Sequence, residues 1–228
     1  MRISRANVLS LGFVVASFVM AAALYSRLPA MVPTHWNAQG EVDGYMPKPW
    51  GAFGPPLLTA GIYLLLLVLP RISPKGYAIA RFQGVYDLMQ SAIVAFLFLM
   101  TGLMLLAGIG VSVPVPRVVL VAIGLLFVVL GNFMGKFTKN FFCGIRTPWT
   151  LASDEVWLRT HRLGGRLFVL AGLVCVASGL FDAGPIPLIV SIAVAAGVPI
   201  FYSYVLYRRL EGDGPRWPPE DNESRHST

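Results

Sequence analysis

The chain runs to 228 residues, with 56% apolar side chains, 13% charged ones and a formal net charge of +7. That balance lies far outside the soluble globular range, and the surplus apolarity collects into six blocks of about bilayer length. A soluble enzyme, a secreted disulfide scaffold and a disordered chain are excluded, and the composition predicts an all-α, polytopic membrane protein.

The first block, 8–26, follows Arg2 and Arg5 and is too long for the apolar region of a cleaved signal, so it reads as a retained anchor. A polar segment, 27–51, leads into the second block, 51–69. Its four prolines and three glycines predict turns. Gly40 and Gly44 supply the positive φ of a hairpin-like reversal, while Trp36, Tyr45 and Trp50 suit the headgroup level of a bilayer. Pro55 and Pro56 are expected in the first turn of the second span, where a missing N–H costs little. The third and fourth blocks, 88–111 and 118–134, follow, and Gly124 and Gly131 recur at a spacing that puts both on one helix face for close approach.

The fifth block, 163–181, needs Arg166 to snorkel, and it repeats the same spacing with Gly172 and Gly179. Ahead of it, Pro148 ends local regularity, and Ser153 followed by Asp154 and Glu155 reads as a helix start with acids at the positive end of the dipole. Val156, Thr160 and Leu163 then share a face, with Arg159, Arg162 and Arg166 on another. This predicts a short amphipathic helix in the interface before the fifth span, carrying Trp157, Arg159, His161 and Arg162. The sixth block, 186–206, holds Pro199, which predicts a kink. The tail 211–228, rich in charge with three prolines, reads as disordered.

Charge gives the sidedness. With the amino terminus inside, only Arg27, Lys48 and Arg117 of the 18 basic residues fall outside, an alternation that predicts six spans with both termini cytoplasmic. Glu41, Asp43 and Asp182 neutralise the outer face, so the whole net charge lies inside. There it favours an anionic leaflet of the lipid bilayer, and no direct nucleic-acid partner is called for. The organisation expected is an N-terminal two-span unit over 1–70, a loop and third span over 71–112, a three-span unit over 113–210 and the tail 211–228.

No chemistry-bearing constellation emerges. Cys143 and Cys175 share no metal-ligand spacing, His35 lacks enough companions for a metal, and Glu41 with Asp43 does not have the spacing of a calcium loop. Residues 131–138 imitate a phosphate-binding loop, but Leu130 and Phe137 stand where that loop needs other residues. No nucleophile has a base and oxyanion donors, and no acidic residue lies inside a block, which argues against a hydrolase and against proton-coupled transport. We expect neither catalysis nor a cofactor. Two polar segments remain as recognition candidates. Outside, His35, Trp36, Asn37, Asp43 and Tyr45 are expected to recognise something arriving at the membrane. Inside, Asn132, Asn140, Arg146, Thr147, Pro148, Trp149 and Thr150 offer donors and acceptors beyond what anchoring needs, and are expected to dock a protein.

The outer stretch LPxxVPTHWNxxGxxDGYxxK, residues 28–48, and the inner stretch GNxMGK…NxxxGIRTPWTLxSDEVWxxTHRxGG, residues 131–165, together resemble the SdpI family of bacterial membrane proteins. The resemblance implies a cell-membrane immunity protein that protects a bacterium from a secreted, membrane-active toxin peptide. It further implies a sensing role, in which a cytoplasmic autorepressor is held at the bilayer. The tail after Arg209 is not explained by these motifs. A small carrier or permease subunit, or an envelope-stress regulatory membrane protein, are the alternatives from other classes.

Overall fold

The computed structural model describes residues 4–74 and 79–211. Lys75 lies outside the described residues, as does the tail expected to be disordered over 211–228, except for Glu211, which ends the last helix.

Ser4 caps α1 (Arg5–Leu24), its hydroxyl accepting the Asn7 N–H. A short 3-10 turn leads into β1 (Met31–Trp36) and β2 (Val42–Pro47), which pair antiparallel. Then come α2 (Lys48–Val68), α3 (Gln83–Gly108), α4 (Val115–Met134), the short α5 (Pro148–Ala152), α6 (Asp154–Phe181) and α7 (Ile186–Glu211). Among the described residues six helices are long and apolar enough to cross a membrane, as the six blocks predicted. The chain is an all-α, multi-pass membrane protein with one small hairpin.

Because lipid is as apolar as leucine, exposing an aliphatic side chain costs nothing here, and burial falls to small and polar residues. Thus α1 buries Asn7, Ser10, Ser17 and Ala21 but exposes Val8, Leu11, Val15 and Val19. α4 and α6 form the most extensive helix pair, α7 packs on α6, and α1 packs on α3. Glycines set the α4–α6 approach. A Cβ at Gly124 would lie 2.6 Å from the Gly172 carbonyl oxygen, one at Gly131 2.7 Å from that of Gly165, and one at Gly179 2.7 Å from that of Arg117. The pairs 117/179, 124/172 and 131/165 recur every seven residues in antiparallel register.

Three local expectations change. The second span begins at Lys48, so Pro55 and Pro56 sit inside α2, not in its first turn; Pro49 occupies that turn instead. Pro199 lies within a continuous α7, next to Gly164 of α6. The segment read as a separate interfacial helix forms the first turns of α6 itself. Helix start and acids are as predicted, but the helix runs on without a break through Gly164 and Gly165. They are buried against Ile145, Met134 and the backbone of Gly131, where a side chain would not fit. Trp157 and His161 are therefore buried, Arg162 is exposed, and Arg159 ion-pairs with Glu155 at 2.5 Å.

Candidate functional site

The hairpin closes one end of the bundle. Asn37 builds its turn: the side-chain oxygen accepts the N–H groups of Gln39 and Glu41, and the amide donates to Glu41 Oε2 at 3.0 Å. Gly40 takes a φ of 84°, as the sequence predicted, whereas Gly44, expected to do the same, sits within β2 without a positive φ. Val32, fully buried, fastens the hairpin to the spans. A Cβ at Gly51 of α2 would fall 2.5 Å from Val32 Cβ, and one at Gly108 of α3 would fall 3.3 Å from Val32 Cγ1. Opposite on the strands, His35 Nδ1 donates to Asp43 Oδ1 at 2.5 Å on the exposed face.

Beneath this hairpin is a cavity of about 480 Å³. His35, Trp36 and Asn37 line its rim, together with Arg117 and Asp182, which form a salt bridge. Its walls are mostly apolar and come from α2, α3, α4 and the start of α7. Of the outer candidates, His35, Trp36 and Asn37 converge on the cavity. Asp43 reaches it only through His35, and Tyr45 lies 56% exposed on β2, outside the lining. Arg117 and Asp182 belong to the site as well. In the sequence they serve only as topology markers, since nothing local joins residues so far apart.

The opposite, basic end is built around His161. Ile145 N–H donates to His161 Nε2 at 2.9 Å, and His161 Nδ1 donates to the Trp157 carbonyl at 2.8 Å. An imidazole with one accepting and one donating nitrogen is the neutral, Nδ1–H form. The ring stacks on Trp157 at 4.0 Å, and Trp157 Nε1 donates to the Phe137 carbonyl at 2.8 Å. Gly144 makes room: its φ is 100°, and a Cβ there would lie 2.2 Å from His161 Nε2.

The loop before α5 is held from within. Buried Asn140 donates to the carbonyls of Thr138 and Cys143 and accepts from the N–H groups of Phe142 and Cys143. Thr147 and Thr150 form a capping box on α5, and Thr147 also bonds Ser203 of α7 at 3.0 Å. Asn140, Thr147 and Thr150 are thus buried braces, while Trp149 is half-buried against Tyr204. Arg146, Pro148 and Asn132 are the exposed members of the inner set. Arg146 bonds the Phe141 carbonyl, a backbone acceptor. Burial pushes the Cys143 thiol up to about 11, opposed by the neighbouring Arg146 guanidinium.

A further polar cluster is not visible in the sequence. Between α1 and α3, Gln90 Nε2 donates to Asn7 Oδ1 at 2.8 Å, Ser10 and Ser91 hydroxyls meet at 2.9 Å, and Tyr63 reaches the Asn7 carbonyl. Asp87, 7% exposed, accepts from Gln83 beside it. Asp87 stands one residue before the third predicted block, so it does not count among acids inside a block.

Residues 136–203 match the family model described as SdpI/YfhL protein family, and residues 12–60 match one described as Domain of unknown function (DUF1648). Immunity protein SdpI of Bacillus subtilis (strain 168) is 26% identical over 208 residues, 90% of this chain and 98% of that protein. No solved structure matches the chain. The second match takes in α1 from Gly12 onward, the hairpin and α2 as far as Ala60. The first runs from the loop braced by Asn140 to Ser203, the partner of Thr147, so the His161-centred part of this multi-pass membrane protein is the part similar to the SdpI/YfhL protein family.

Proposed function

We propose that this chain is a membrane immunity and sensor protein that protects its bacterium from a secreted, membrane-active peptide. The hairpin end faces outward and takes the peptide. The basic end, with both termini, faces the cytoplasm and holds a repressor protein through Arg146, Pro148 and the half-buried Trp149. In this reading the two-span unit over 1–70 supplies the hairpin over the outer cavity, whose walls also come from α3, α4 and the start of α7, and the three-span unit over 113–210 supplies the inner surface. No catalytic step is assigned.

The observation that carries the reading is the cavity under the hairpin. It is apolar in its walls and charged only at its rim, a combination suited to one apolar residue of an amphipathic peptide with its polar groups left at the mouth. Similarity to a protein named for immunity supports the same conclusion. The test does not require the peptide to be identified. The chain is deleted from its host, and the deletion strain is grown beside the parent with a membrane-potential dye. The deletion strain should depolarise and fall in number, and re-expression should restore it. Equal survival of parent and deletion strain in mixed culture overturns the reading.

A further inference from the structure

At the basic end a shallow groove of about 650 Å³ runs along the outside of the α4–α6 pair. Its floor is Gly131, Gly135 and Gly165, and at Gly131 and Gly165 the helices approach too closely for side chains. Arg162 and Arg166 line one wall, one helical turn apart and both exposed. The Arg162 stem lies over Gly135, where a Cβ would sit in ordinary contact 3.5 Å from Arg162 Cγ. Asn132 lines the groove from α4 and adds a neutral donor.

These two guanidinium groups differ from the basic residues around them. Arg159 is matched by Glu155 and Lys139 by Asp154, Lys136 lies over the Phe133 ring and Arg146 donates to the Phe141 carbonyl. Among the described residues Arg162 and Arg166 have no acidic partner. They also stand where the apolar stretch of α6 begins, the level from which an arginine snorkels to the lipid headgroups. Beyond them the groove continues over Val169 and Leu170, and Leu170 is 57% exposed. Two forked cations followed along one helix by an apolar track match a phosphate diester with an acyl chain attached.

We propose that this groove binds one anionic phospholipid, the phosphate between Arg162 and Arg166 and an acyl chain along Val169 and Leu170. A soluble phosphate would satisfy the arginines but leave the track uncovered, so the lipid is the occupant. The site does not depend on what the hairpin end recognises.

The test uses the full chain in zwitterionic detergent with fluorescently tagged phosphatidylglycerol, competed by untagged phosphatidylglycerol, phosphatidylcholine or glycerol phosphate. Binding should saturate and yield to untagged phosphatidylglycerol alone. Replacing both arginines (Arg162→Gln with Arg166→Gln) removes charge-assisted bonds and should weaken binding at least about tenfold, while Arg159→Gln changes it less than about twofold. Thermal unfolding of each variant is followed in parallel. Leu170→Glu, which leaves the arginines in place, should also lower affinity by placing a carboxylate on the acyl track. The proposal is overturned if Arg159→Gln weakens binding as much as the double variant, which would mean a diffuse basic field. Equal competition by phosphatidylcholine overturns it too, as does displacement by glycerol phosphate as effective as by the whole lipid.

Discussion

Gly124 and Gly172 face each other so closely that a Cβ on either would come within 2.6 Å of the other's carbonyl oxygen. A side chain at either position must push two backbones apart. We expect Gly172→Val and Gly131→Leu each to destabilise the chain by about 1–3 kcal/mol or more, the range for overpacking a filled interior. Gly54→Ala and Gly61→Ala, at positions with open space around them, should be silent. Thermal unfolding in detergent separates the two groups, and equal behaviour would remove the close crossing from the account.

His161 carries a different load, because it ties the loop to α6 by accepting the Ile145 N–H. His161→Phe keeps a stacking ring on Trp157 but leaves that buried donor unpaired, a loss of about 1–3 kcal/mol. Gly144→Ala attacks the same link from the other side through its positive φ and its clash with the imidazole. Both variants should make the segment between α4 and α5 cleave faster under limited proteolysis while the hairpin stays as resistant as before. Unchanged cleavage of the loop would mean that the histidine is not its anchor.

Cys143 offers a pH experiment. Its thiol is shifted up to about 11, chiefly by burial. A raised thiol pKa means less thiolate at neutral pH, so maleimide labelling should be slow there and climb with pH toward about 11. Because the Arg146 guanidinium pulls the pKa down, Arg146→Gln should slow labelling at pH 8 further. Rapid labelling at pH 7 would contradict the burial.

The proposed orientation is checked by cysteines placed at Gln39, exposed at the hairpin tip, and at Pro148, exposed at the basic end, in a background without Cys143 and Cys175. The first should label in intact cells and the second only after permeabilisation. Labelling of both in intact cells would refute the assignment of faces.

Within the immunity reading, Trp36 and Tyr45 are no longer equivalent. Trp36 lines the cavity, whereas Tyr45 projects from β2 outside it. Buried aromatic anchors carry about 2 kcal/mol or more at interfaces, so Trp36→Ala should cost at least about tenfold in tolerance and Tyr45→Ala much less. Survival is compared at matched membrane abundance. The reverse order would move recognition from the cavity to the open strand face.

Much of this fold is written locally. Six apolar runs of bilayer length have few alternatives, Gly40 marks the turn it makes, and the glycines at seven-residue spacing announced a tight face. The candidate site was less legible. Thr147 and Thr150 read as surface donors because the partner of Thr147, Ser203, lies on another span, and a buried threonine cannot be told from an exposed one by its neighbours in sequence. Trp157 and His161 read as interfacial because helical spacing alone does not say what covers a face. The Asn7, Gln90 and Ser91 cluster has the same cause: in a chain whose apolar residues face lipid, polar side chains find each other across helices.

The close contacts at 117/179, 124/172 and 131/165 span roughly 21 Å of α4, at about 1.5 Å per residue. A slide of α4 by one residue against α6 would carry Leu125 or Asn132 toward a backbone with no space for either. The contact therefore works as a detent with a seven-residue pitch and nothing stable in between. Whatever motion this protein undergoes, the two helices must travel as a single beam, turning about its edges and never shearing along its length.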